Sequence, residues 1–334
     1  MSTVHLLKLR DFSLVLLFSL LLGACGGSGS SQQTDQNANK APEKSDNTQK
    51  NPTADDAETQ SLLIKGSDTA EELVKKLAQA FRASENDVRI TVEGGGSGLG
   101  ITALIDRSAD IANASRPIKD REVARAQENG IQPEPFVIAE DGLALIVHAD
   151  NSVPGLNMQE VSKLYQGQIT NWKDVGGPDG EISLYSRGIS SGTYVYFRDN
   201  AVMGDYAPSV TRKESNEAIV QSVLDDPMGI GYVGLGYALA SDGSVKPGLK
   251  VLPIASEAGA PMASPMEAEN IISGAYPLAR PLYHYVNGTP KGMVADFLRF
   301  EMSEEARAVI EEVGFYPPTN AHRRQNKVLL NRSM

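Results

Sequence analysis

Leu62-Leu63-Ile64-Lys65-Gly66-Ser67-Asp68-Thr69 opens the folded part of the chain and sets its architecture. Leu62, Leu63 and Ile64 make a short apolar run that fits a buried strand, and Gly66 ends it. Leu73, Val74, Leu77, Ala78 and Phe81 then recur at helical spacing, with Ser or Asp near the helix start. The unit repeats. Val88 to Val92 alternates as a strand and runs into Gly94-Gly95-Gly96-Ser97-Gly98, after which Ile101, Leu104 and Ile105 mark a helix. A third strand, Asp110 to Ala114, leads into Ser115-Arg116-Pro117. Repeated strand–loop–helix units predict an α/β fold with a parallel-rich sheet and helices on both faces. Ligands of such sheets sit beyond the carboxyl ends of the strands, where these loops fall.

Further along, Leu143 to Val147 reads as a central strand leaving one lobe for another. Residues 158–165 and 215–225 read as helices, the second stopping at Asp225-Asp226-Pro227. Ile182 to Tyr185 predicts a strand feeding Arg187, and Pro281 to Val286 another, followed by helices near 290–300 and 303–313.

Five loops are rich in Gly, Ser and Thr, and most lead into an apolar-periodic run. The last two are Arg187-Gly188-Ile189-Ser190 and Ser191-Gly192-Thr193. Helix starts offer unpaired N–H groups and the positive end of a macrodipole, so such loops suit anions. Several of them, with Arg187 four residues ahead of Ser191-Gly192-Thr193, predict a pocket wrapping a small oxyanion from several sides.

The N-terminal residues have another character. His5, Lys8 and Arg10 precede an apolar run from Phe12 to Leu22, which reads as a secretory signal over 1–24. Gly26 to Gln60 holds no Val, Ile, Leu, Met, Phe, Tyr or Trp, so 25–60 is expected to be a disordered tether. Flexible-coil scaling gives that tether an average span of roughly 30 Å. A net charge of −11 argues against a nucleic-acid partner, which needs a basic face. Cys25 is the only cysteine, so no disulfide or zinc cluster of thiols forms within one chain.

Leu22-Gly23-Ala24-Cys25 resembles a bacterial lipobox, which implies cleavage before Cys25 and its acylation. From about 61 to 318 the chain resembles the phosphate-binding receptors of bacterial Pst-type phosphate ABC transporters. The loops above carry that resemblance together with Asp110-Ile111-Ala112-Asn113-Ala114, Asp141-Gly142-Leu143-Ala144 and Ile169-Thr170-Asn171-Trp172. Gly229-Ile230-Gly231-Tyr232 and Ala279-Arg280-Pro281-Leu282-Tyr283 complete it. The resemblance implies a type II periplasmic binding fold, with two lobes closing around the ligand at a two-strand hinge. Lobe 1 would be 61–145 plus 278–320, lobe 2 would be 146–277, and 321–334 a C-terminal tail.

The implied function is extracytoplasmic capture of inorganic phosphate, without catalysis or cofactor, and its delivery to an ABC permease and ATPase complex. The protein would be a monomer held to a membrane by its lipid anchor, on the periplasmic side or the cell surface. Carried over residue by residue, the phosphate contacts fall on Asp68, Thr69, Ser97, Ser115, Arg116, Arg187, Ser191, Gly192 and Thr193. One departure stands out. Many relatives carry an aspartate after the third-loop serine to accept the proton of bound phosphate, and here that place is Arg116. Asp68 is then the candidate acceptor; its bland reading is a helix N-cap. A carboxylate in the cleft would accept from phosphate and repel sulfate, which carries no proton. The alternatives are a receptor for sulfate, arsenate or tungstate, or a phosphoesterase on the same scaffold.

Other motifs read as decoys. Ser97 lacks the second glycine of a G-x-S-x-G elbow, since Leu99 stands there. Gly229 to Gly234 fits a dinucleotide fingerprint but reads as a strand. Trp172 reads as a packing residue at a loop end, His148 as a structural or hinge residue, and Arg280 as half of a structural ion pair near the lobe connection, with a second anion-gripping guanidinium as the alternative.

Overall fold

The structure, a computed structural model, describes residues 60–84 and 88–332. The expected signal segment, Cys25 and nearly all of the tether lie outside these residues. A mixed sheet of nine strands organises the fold: β1 (Gln60–Gly66), β2 (Val88–Glu93), β3 (Ile111–Ala114), β4 (Pro133–His148) and β5 (Ser183–Arg187) come first. β6 (Thr211–Lys213), β7 (Gly229–Gly234), β8 (Leu249–Val251) and β9 (Ala279–Asn287) follow. Their spatial order is β2-β1-β3-β9-β4-β7-β5-β6, with β8 also paired to β4.

β1 pairs parallel with β2 and β3, as the repeated units predict, and β5 pairs parallel with β6 and β7. β9 is inserted antiparallel between β3 and β4. β4 runs for 16 residues. Its first part pairs with β9 up to Gly142, and from Leu143 it pairs with β7.

The buried apolar clusters divide at the same place along β4. Two contain only residues 62–139 and 282–330, and the other two only residues 143–278. The first pair is built on α1 (Asp68–Ser84), whose Leu73, Val74, Leu77, Ala78 and Phe81 are buried as the helical spacing predicts. α2 (Ser97–Ile105) and α3 (Asp120–Glu128) lie over the sheet nearby. The second pair gathers α4 (Met158–Tyr165), α5 (Gly192–Phe197), α6 (Asn216–Leu224) and α7 (Leu235–Ala238). Trp172 is fully buried there and donates Nε1–H to Met228 O, a packing role. Residues 54–334 form one compact unit that contains all four clusters, so a chain starting at Ala54 keeps the whole core.

The end of the chain differs from expectation. After α8 (Gly292–Phe300) and α9 (Glu304–Glu312), residues expected as a tail form α10 (Asn320–Asn331). Leu329 and Leu330 enter the first core, and Asn326 is buried against β4. Asn326 Oδ1 accepts from Val137 N and its Nδ2 donates to Val137 O, satisfying both groups of a residue whose strand partners leave them free. That bond pair anchors the helix. Among the described residues, no helix is long and apolar enough to cross a membrane.

Candidate functional site

The ligand loops converge at the carboxyl ends of the strands. After β1, Ser67 N bonds Asn113 O at 3.0 Å, and Gly96 N in the second loop bonds Gly66 O at 2.8 Å. These bonds fix the first three loops to one another. The fourth arrives from β5. Ser190 O accepts from Gly98 N at 3.4 Å, and a Cβ on Gly96 would stand 2.5 Å from that carbonyl. Only glycine at 96, with φ +100°, permits that approach.

Four hydroxyls meet where these loops touch. Thr69 Oγ1 lies 2.7 Å from Thr193 Oγ1, and Ser115 Oγ lies 3.4 Å from Thr193 Oγ1 and 3.3 Å from Ser97 Oγ. Ser97 Oγ also accepts from Ser115 N at 3.0 Å. All four side chains are buried. Gly192 packs directly on them. Ser191 caps α5, its Oγ accepting from Tyr194 N at 3.3 Å, so its hydroxyl serves the helix.

Two guanidinium groups border the cluster. Arg187 Nη2 donates to Asp68 Oδ2 and, at 2.8 Å, to Glu214 O. Its Nε and Nη1 are buried and have no hydrogen-bond partner among the described residues. Asp68 is the first residue of α1, yet its carboxylate serves the neighbouring loop, Oδ1 accepting from Gly95 N at 2.6 Å. Asp68 therefore differs from the plain N-cap reading: it is the first helical residue, and its carboxylate accepts from Gly95 N and Arg187 Nη2.

Arg280 is the second guanidinium. It pairs with Asp141 through Nε at 2.9 Å and Nη2 at 2.8 Å, with both side chains buried. The structural ion pair is present, and it does more than join strands. Nη2 also donates to Thr193 Oγ1 at 3.0 Å and Nη1 to Ser115 O at 3.0 Å. A hydroxyl that accepts from a guanidinium turns its own proton elsewhere, so Arg280 orients Thr193 as a donor. Sequence reasoning left Arg280 out of the site, although Ala279-Arg280-Pro281 was among the stretches carrying the resemblance.

Tyr237, on α7, gave no sequence signal at all. Its hydroxyl donates to Asp68 O across the two halves of the fold. Burial, with Glu217 and Glu71 nearby, pushes this phenol up, so it remains a protonated donor at neutral pH.

Arg116 is the residue that does not join. It forms a bidentate pair with Glu122 of α3, Nη1 at 2.8 Å and Nη2 at 2.7 Å, and Nη1 also bonds Pro117 O at 2.9 Å. That pair holds the Glu122 carboxyl below its ordinary range against the opposing effect of burial, while Arg116 Nε stays buried without a hydrogen-bond partner among the described residues. The other candidates all belong to one neighbourhood: Asp68, Thr69, Ser97, Ser115, Arg187, Ser191, Gly192 and Thr193. It offers many N–H and O–H donors beside the carboxylate of Asp68, with that of Asp141 behind Arg280.

Comparison with known proteins follows the same lines. The profile of a PBP superfamily domain matches residues 48–305. A phosphate-binding protein PstS from Pseudomonas aeruginosa is 33% identical over 270 residues, covering 75% of this chain and 81% of that protein. One from Staphylococcus saprophyticus is 32% identical over 304 residues, covering 89% and 86%. The crystal structure of an ABC-type phosphate transport receptor from Vibrio cholerae superposes with a TM-score of 0.63 at 29% identity, covering 77% of this chain and all of that one.

Proposed function

This chain belongs to the PBP superfamily and, within it, to the PstS phosphate-binding proteins, and from that premise we propose that it captures inorganic phosphate outside the cytoplasm for an ABC transporter. The observation that carries the reading is Arg187: two buried N–H-bearing atoms without a protein acceptor, beside hydroxyls delivered by separate loops. A phosphate oxygen pair satisfies such a guanidinium through charge-assisted bonds of about 1.5–3 kcal/mol each. Thr69, Ser97, Ser115 and Thr193 would exchange their mutual hydrogen bonds for bonds to the remaining oxygens. Gly192 would add its backbone N–H at the start of α5, whereas Ser191 N already donates to Gly188 O at 3.1 Å.

Asp68 supplies the selectivity in this reading. Phosphate at neutral pH keeps at least one proton and can donate to the carboxylate, whereas sulfate meets it with two lone pairs and no proton. Residues 61–145 with 278–320, and 146–277, would act as two lobes that the ligand draws together by bonding both. Lipidated Cys25 would hold the receptor at the membrane by the tether, as a monomer, within reach of the permease and its ATPase.

Calorimetric titration of residues 54–334 with phosphate, sulfate and arsenate at two pH values tests the assignment. Tight phosphate binding with undetectable sulfate binding is expected. Asp68→Asn should narrow the phosphate-to-sulfate preference by about tenfold or more, as expected from losing one buried acceptor. Sulfate bound as tightly as phosphate by the parent protein would overturn the phosphate reading; an unchanged preference in the variant would remove Asp68 from it.

A further inference from the structure

The helix α10, which reaches the end of the fold away from the ligand loops, is basic, although the protein is acidic and Asp110 and Glu134 lie at the same end. Strand registers show which end this is. β1, β3 and β4 run the same way, with the loops of the site at the carboxyl ends of β1 and β3. Gln60, where the chain from Cys25 enters, and Glu134 near the start of β4 therefore lie at the opposite end. α10 descends along β4 toward it: His322 meets Glu140, Asn326 meets Val137, and Arg332 meets Glu134.

Residues 313–334 contain four Lys or Arg and no Asp or Glu, in a chain of net charge −11. Arg324 and Lys327 are exposed, and among the described residues neither they nor Arg323 form an ion pair. Val328 is 57% exposed between them, while Leu329 and Leu330 hold the helix to the core. Lys291, at the same end where β9 finishes, is also exposed and outside the ion pairs of the described residues.

We propose that this face of α10 rests on the anionic headgroups of the bilayer to which the tether is fixed. The bilayer is the occupant because chain entry and the basic face share one end of the fold. The tether expected from the sequence would keep that end near the membrane. The acidic remainder does not prevent the contact, since its charges are screened over about 8 Å at physiological salt. Long Lys and Arg side chains reach headgroups while an exposed Val touches the acyl boundary. Resting so, the protein turns its ligand loops away from the membrane, a pose for loading; delivery to a permease requires release from it. The inference extends the anchored reading, and its test omits the anchor so that the two can fail separately.

Residues 54–334 are sedimented with phosphatidylcholine vesicles and with vesicles that are about one-third phosphatidylglycerol. We expect at least tenfold stronger partition onto the anionic vesicles at low salt, as a few cations near a charged surface supply, and its loss at about 0.5 M salt. Arg324→Glu/Lys327→Glu should abolish the difference, and Arg324→Gln/Lys327→Gln should reduce it. Both variants should melt and titrate phosphate as the parent does. Equal partition onto both vesicle types, or a charge-reversed variant that partitions like the parent, overturns the proposal. So does retention by heparin without binding to anionic vesicles, which would indicate a soluble polyanion instead.

Discussion

At Gly192 the approach of the loops depends on one missing methyl group, because a Cβ there would stand 2.1 Å from Ser97 Oγ and 2.6 Å from Ser115 Oγ. Gly192→Ala must push both hydroxyls outward. We expect phosphate affinity to fall roughly 10–100-fold by calorimetry, the usual scale of one overpacked atom in a fixed site; unchanged affinity would show that the hydroxyls are not ligands. Residue type made this position legible in the sequence. Gly, Ser and Thr at strand ends state their purpose, since small side chains and free N–H groups have few other reasons to cluster there. Arg116 was not legible. Its direction depends on Glu122, six residues on, whose carboxylate also closes the start of α3 by accepting from Lys119 N at 2.9 Å. A guanidinium beside a loop serine looks the same in sequence whether it faces a ligand or a helix.

At the scale of elements, α10 is joined to β4 by more than Asn326. Glu140 on β4 accepts from Thr319 N at 3.0 Å and pairs with His322 Nδ1. The bond to Glu140 raises the His322 pKa against the opposing effect of burial. A folded-state value above the unfolded one means the imidazolium form stabilises the protein below about pH 6.5. That contribution disappears as pH rises through the raised folded value. His322→Gln should therefore lower the melting temperature more at pH 5.5 than at pH 9, and an equal loss at both would exclude the charge. Several strands and helices were readable from spacing, as α1 shows by burying the apolar face assigned to it, whereas β6, β8, the first half of β4 and the helices α3, α5 and α7 were not. Nor was α10. Its buried polar anchor, Asn326, has no meaning until β4 lies beside it, and its many cations resemble a solvated tail.

Across the whole molecule, several contacts between the two halves of the core pass through the site, and others, such as Tyr316 to Pro265 O, lie outside it. Thr69 meets Thr193, Gly98 meets Ser190, Arg187 meets Asp68, and Tyr237 meets the Asp68 carbonyl. Tyr237→Phe removes one of these without touching a hydroxyl of the cluster. One neutral hydrogen bond contributes about 0.5–1.5 kcal/mol, so we expect phosphate release roughly 2–10-fold faster in stopped-flow measurements. Release at the parent rate would show that the bond does not distinguish closed from open. Such long-range pairs lie beyond sequence reading, because Asp68 and Tyr237 are 169 residues apart and neither announces the other.

The insertion of β9 between β3 and β4 has a bearing on biogenesis. The first half of the sheet cannot close until residues near 280 have been made, so the nascent polypeptide stays without its central strand for most of translation. Late insertion of this kind defers the compact state until the segment that supplies β9 is available, a long-range pairing that slows folding.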